Sequence, residues 1–142
     1  MTPEDNGDGW VLGQSPGPPR LMCRWLRDVQ VPDEAMPVRI TVGVAFEHKT
    51  DDGMPAEAEY DYLAAVEDVL IKQLTRLGAR VVLVVTTRGA RDWVAYASTA
   101  AWLRRWAPDF ASRYLTPRQH DISAGLDPEW STYLRFATRG LD

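Results

Sequence analysis

Val38-Arg39-Ile40-Thr41-Val42-Gly43-Val44-Ala45-Phe46 alternates apolar residues with small or polar ones. A period of two belongs to a strand, whose successive side chains point to opposite faces. Val38, Ile40, Val42, Val44 and Phe46 therefore share a core face, and the other face is wet or covered by something small. Asp51-Asp52-Gly53 supplies the following turn. A helix is expected from Pro55 to Leu77, because Leu63, Val66, Leu70, Leu74 and Leu77 form one apolar stripe. Pro55 suits its first turn, Glu57 and Glu59 suit the positive end of its dipole, and Gly78 suits a left-handed cap. Val81–Thr87 is apolar on both sides, so both sides should be covered. The tight turn Arg88-Gly89-Ala90-Arg91 leads into a strand over Trp93–Ala97. Strand, helix, strand, strand is three quarters of a ferredoxin-like β-α-β-β-α-β unit.

The flanks complete the pattern. Ser98 or Thr99 can cap a short helix carrying Trp102, Leu103 and Trp106, which Pro108 is expected to end. Arg113–Ile122 reads as the last strand, and Pro117 makes it an edge because proline cannot donate to a ladder. Asp127-Pro128-Glu129 reads as the start of a short C-terminal helix with Trp130, Tyr133, Leu134 and Ala137 inward. Upstream, Trp10–Leu12 and Leu21–Val29 read as strands around a Gly- and Pro-rich loop, residues 13–19, with Leu21, Cys23, Trp25 and Val29 on one face. Residues 1–9 are polar and expected to be disordered. The expectation is one α+β domain over residues 10–142: a ferredoxin-like antiparallel sheet in strand order 4-1-3-2, an N-terminal strand extension and a short C-terminal helix.

The chemistry is mostly negative. A chain of 142 residues can bury a real core. Its formal net charge of -4 creates no field that draws it to nucleic acid or a membrane. The charge is uneven, with a balance of -9 over residues 1–68 and +5 over residues 69–142, so a basic patch could meet an acidic partner. One cysteine excludes an internal disulfide. The acidic N-terminus is no secretory signal, and no apolar run reaches the ~20 residues that span a bilayer. A cytoplasmic location follows as the expectation. His48 and His120 lack ligand partners at metal-site spacing. Asp5-Asn6-Gly7-Asp8-Gly9 lacks the twelfth-position acid of a calcium loop. There is no phosphate-binding glycine loop and no nucleophile elbow. Cys23 reads as a buried thiol. Glu57, Glu59, Asp61, Glu67 and Asp68 read as a solvated acidic helix face. Trp93 and Tyr96 point to opposite faces and read as core rather than as a base-stacking platform. No catalytic, cofactor-binding or metal-binding residue is expected.

Four pieces in order carry a family likeness. They are Pro55-x-x-x-Glu59; Leu63-x-x-x-Glu67-Asp68-x-Leu70; Thr86-Thr87-x-Gly89-x-Arg91-x-Trp93-x-x-Tyr96; and Asp127-Pro128-x-Trp130-x-x-Tyr133-x-x-Phe136. From Trp10 to Phe136 the chain resembles the bacterial domain-of-unknown-function family 695. The resemblance implies a ferredoxin-like α+β domain and brings no activity, cofactor or site. The functional expectation is therefore a non-enzymatic domain that binds another protein through a sheet face or edge, as a nuclease regulator or an immunity-type inhibitor does. Nucleic acid is disfavoured, no membrane role is expected, and the chain could be monomer or homodimer. Arg88 and Arg91, flanking Gly89-Ala90 at a loop tip, are the candidate contact residues. The alternative is a small-molecule binder or enzyme with a pocket between the N-terminal extension and the open sheet face, where Gly43 and Ala45 leave room and Arg39 or Arg91 could anchor an anion.

Overall fold

The computed structural model describes residues 4–5 and 9–137. Seven strands and three α-helices follow in the order β1 (Glu4–Asp5), β2 (Trp10–Ser15), β3 (Leu21–Leu26), β4 (Val38–Ala45), α1 (Tyr60–Arg76), β5 (Arg80–Thr87), β6 (Ala90–Ala97), α2 (Leu103–Phe110), β7 (His120–Leu126) and α3 (Ser131–Ala137). One open sheet runs β1-β2-β3-β5-β6-β4-β7, and every neighbouring pair is antiparallel. Six of its strands have six to eight residues, and β1 is a two-residue fringe. Of the N-terminal stretch expected to be disordered, Glu4–Asp5 pairs with Val11 and Leu12. The rest of residues 1–8, and residues 138–142, lie outside the described residues.

The alternation in β4 is used as its period demands. Ile40, Val42 and Val44 are fully buried beneath α1, whose Leu63, Val66, Leu70 and Leu74 complete the same core with Trp93, Phe110 and Leu115. On the opposite face Cys23, Trp25, Leu83, Val85, Val94 and Tyr96 pack against Trp130, Tyr133 and Ala137 of the C-terminal segment. β5 serves both cores, so its apolar run is covered on both sides. Trp93 and Tyr96 are both buried, one in each core.

Several boundaries differ from the sequence expectation. The helix expected from Pro55 begins with a 3-10 turn at Glu57–Glu59 and becomes α-helical at Tyr60. Pro108 does not end α2 but lies inside it, and the chain continues as a π turn over Ala111–Leu115. Trp102, Trp106, Phe110 and Tyr114, spaced by four, contact one another along this segment, edge-on, stacked and tilted in turn. Their contacts, and the Trp106 Nε1 bond to Gln73 Oε1 at 2.8 Å, carry the helix past the missing proline donor. The last strand therefore starts at His120, not Arg113, and Pro117 precedes it. α3 starts at Ser131, four residues after Asp127. The Asp127 carboxylate still caps it, accepting from Ser131 N at 2.8 Å and Thr132 N at 3.1 Å.

Asp127 also accepts the Tyr96 hydroxyl at 2.7 Å, and the Trp130 ring stacks on Tyr96 with centroids 4.1 Å apart. Burial raises the Asp127 pKa, but the bonds from Tyr96, Thr132 and Ser131 outweigh it and hold the carboxyl below its usual range. Burial first, then the bond to Asp127, pushes the Tyr96 phenol well up. This node pins the start of α3 to the sheet.

The acidic face of α1 is not wholly solvated. Glu59 is only 1% exposed. It accepts Arg118 Nη1 at 2.7 Å on Oε1 and Nη2 at 2.8 Å on Oε2, with Glu47 N at 2.6 Å and His48 N at 3.2 Å. The Arg118 guanidinium lies 3.8 Å from the centroid of the Tyr62 ring. Hydrogen bonds from Arg118 outweigh the burial penalty and hold the Glu59 carboxyl at a pKa of about 2. Glu67 is part-buried, binding Arg24 and, through Oε1, Trp93 Nε1 at 2.9 Å. Neither Arg88 nor Arg91 forms an ion pair with Glu67 or Asp68 among the described residues.

Leu70→Ala should cost about 2–5 kcal/mol, since it empties a fully buried site. Glu57→Ala, on the exposed side, should change stability by less than about 0.5 kcal/mol. Denaturant midpoints check both. Glu59→Gln removes one partner of a buried pair and should cost about 3–5 kcal/mol. Because the folded carboxyl has a depressed pKa, its stabilisation is complete above the ordinary value near 4.5 and is lost as pH falls towards about 2. Thermal melts over that range should show a decline in the wild type that Glu59→Gln lacks.

Candidate interaction site

β7 is an edge strand, paired with β4 alone. The ladder fixes which backbone groups face outward. Asp127 N bonds Pro37 O at 2.8 Å and Ala45 N bonds Gln119 O at 2.9 Å, one at each end of the pair. Hydrogen-bonded positions alternate in an antiparallel pair. Asp121, Ser123 and Gly125 therefore turn their backbone groups towards β4, while His120, Ile122, Ala124 and Leu126 turn theirs outward. The strand holds no proline and one carboxylate, Asp121. Leu126 is 80% exposed. Natural edges are usually blunted by charge, proline or shortness, and β7 has little of these.

Beside this edge the sheet has an uncovered strip. Arg39 and Thr41 of β4, Val94 and Asp92 of β6, Ser123 of β7, and Thr132 and Arg135 of α3 line a groove of about 370 Å³. Arg39 Nη1 donates to Thr132 Oγ1 at 3.0 Å and stands 3.8 Å from Asp127. Gly43 pairs with Asp92 on one side and Asp121 on the other, which brings both acids to the same face. A Cβ at Gly43 would fall 2.3 Å from Asp92 Oδ1, so only glycine lets that carboxylate lie over the strand. Asp92 is exposed as a residue, but partial desolvation of its carboxyl over the sheet first, then the Asp121 charge, pushes that carboxyl up. The Asp92 carboxylate forms no hydrogen bond or ion pair among the described residues. The groove thus joins two arginines at one end to the Asp92 carboxylate at the other, with Asp121 beside it across Gly43. It lies against α3, whereas the sequence reading put the pocket beside the N-terminal extension; β2 and β3 are instead strands of the same sheet.

The two predicted contact arginines separate. Thr87 and Ala90 close the hairpin, so Arg88 and Gly89 are its central residues. Their φ values of 53° and 79° are those of a type I′ turn. Arg88 is exposed at the tip. It lines a cleft of about 580 Å³ with residues 16–20 and 49–53. Arg20 there is already paired with Asp52 at 3.0 Å. Arg91 falls inside β6 and faces the α1 side, donating Nε to Thr86 Oγ1 at 2.9 Å. The turn is offset by one residue from the sequence expectation, and that offset sends the arginines to different environments. Sequence reasoning also missed Asp92, Asp121 and Arg135. Only the register at Gly43 reveals the two acids as neighbours.

A carboxylate held up in pKa lowers stability as it ionises. Unfolded Asp92 loses its proton first, so its unfavourable contribution grows as pH rises from about 4 through the higher folded value. Asp92→Asn should raise the thermal midpoint at neutral pH and leave it unchanged at pH 3. An equal change at both pH values would mean that charge is not the cause.

The likeness read from the four sequence pieces has an independent counterpart. No curated protein matches the chain, and no solved structure does. The family model described as a family of unknown function, DUF695, matches residues 22–137, from β3 through α3. The chain belongs to the DUF695 family.

Proposed function

We propose that this is a non-enzymatic bacterial interaction domain of the cytoplasm, with a ferredoxin-like β-α-β-β-α-β core, that binds another protein by taking up an extended segment along β7. The observation that carries this reading is the open edge: four residues with outward backbone groups on a strand held in register by β4. Strand addition draws affinity from such groups and selectivity from neighbouring side-chain pockets. The groove beside β7 would receive side chains of the added strand, with arginines and carboxylates to discriminate among them. Regulation of a nuclease or neutralisation of a toxin fits a domain of this kind.

Ala124→Pro is the test. Ala124 N–H faces away from β4, so proline removes an outward donor without breaking the ladder. Affinity capture from the native cytoplasm should recover a partner with the wild type and lose it with a folded Ala124→Pro protein. Recovery of the same partner by both would remove the edge from the site. A second copy as the partner would appear as a concentration-dependent doubling of mass that Ala124→Pro abolishes.

A second reading has its own observation. Arg39, Asp92, Ser123, Thr132 and Arg135 converge on one groove, as polar groups do in a small-molecule site. A ligand that copurifies and is lost in Arg135→Ala, with capture by Ala124→Pro intact, would favour it.

A further inference from the structure

Arg91 lies on the face of the sheet opposite the groove. The register Arg24↔Val84, Met22↔Thr86 and Thr86↔Arg91 puts Arg24 and Arg91 on one face, on either side of β5. A cavity of about 50 Å³ lies between them, lined by Leu12, Met22, Arg24, Thr86 and Arg91 among others. Arg91 Nε is used by Thr86, and its two η nitrogens have no acceptor among the described residues. The nearby carboxylate, Glu67, is engaged by Arg24 and by Trp93 Nε1. One carboxylate thus faces two guanidiniums. Burial, then the Arg24 charge, pushes the Arg91 guanidinium down in pKa. Arg91 is half-buried, and its η nitrogens remain open to an acceptor at the cavity.

We propose that Arg91 and Arg24 together hold one oxyanion group of a ligand, a carboxylate or a phosphoryl group, in the cavity between them. A guanidinium presents a planar fork that matches two oxygens of either group. The Thr86 hydroxyl, by accepting Nε, fixes the orientation of the Arg91 fork. The Arg24 guanidinium lies 5.3 Å from the centroid of the Trp10 ring, which holds it at the cavity from the other side. The cavity suits a small oxyanion and no larger body, so the rest of the ligand would lie outside over the sheet. This site is independent of β7.

The test uses the full chain and follows arginine Nε–Hε signals by NMR. Sodium phosphate, sodium acetate and sodium chloride are added in parallel at matched ionic strength. The Arg91 and Arg24 signals should shift and saturate with phosphate or acetate but not with chloride, and the thermal midpoint should rise with the same anion. Saturation with phosphate identifies a phosphoryl ligand, and saturation with acetate a carboxylate such as an acidic side chain of a partner. Arg91→Gln should weaken that binding about tenfold or more, the scale of one lost charge-assisted contact. Non-saturating shifts with both anions in the wild type would overturn the site, and this result does not depend on the variant folding. Saturation left intact in a folded Arg91→Gln protein would overturn it equally.

Discussion

The buried ion pair between Glu59 and Arg118 clamps three parts of the chain at one point. Glu59 opens α1, its oxygens take the amides of Glu47 and His48 just after β4, and Arg118 leads into β7. Arg118 is further held by Glu47 at 3.1 Å and by the Tyr62 ring. Pairs of this kind gain little over an apolar replacement, but breaking one is costly because the remaining charge is stranded. Its consequence here is positional. The approach to β7 contains a π turn and Pro117, neither of which continues a helix or strand. The guanidinium supplies the fixed point from which the edge strand starts in register.

A second polar node works at the far end. Asp127 caps α3, accepts Tyr96 and stands beside Arg39. It locks the C-terminal helix over β3, β5 and β6, where Tyr133 O–H reaches Leu26 O at 2.5 Å. The same placement leaves the outer part of that sheet face bare. Thr41, Asp92 and Ser123 line this bare strip beyond Arg39, whose guanidinium meets Thr132 of the helix. One interaction therefore both closes half of the second core and defines the wall of the groove.

The two ends of the sheet differ in kind. At the β1 side the sheet tapers to two residues. At the β7 side it stops abruptly, with a seven-residue strand whose partner lies only inward. Asp92 and Asp121 sit together next to this edge, on either side of Gly43.

Elements whose reasons are local are legible along the chain alone. The alternation of β4, the stripe of α1, the Gly78 cap and the two-sided apolarity of β5 each follow from periodicity or from one residue's backbone preference, and four ordered motifs identified the family. The chain also marked Asp127 as a cap, although it placed the helix too early. The remaining features depend on partners distant in the chain. Pro108 is carried through α2 by aromatic contacts and by Gln73 of another helix. Glu59 and Glu67 look like solvated acids until Arg118 and Arg24, 59 and 43 residues away, are brought against them. The hairpin register, offset by one residue, sends Arg88 to a tip and Arg91 into a cavity, because side chains on a strand alternate and a single step exchanges faces. Asp92 and Asp121 become neighbours only through their shared pairing with Gly43. A one-dimensional pattern reports which face a residue prefers, and only the register of the folded sheet decides what stands opposite it.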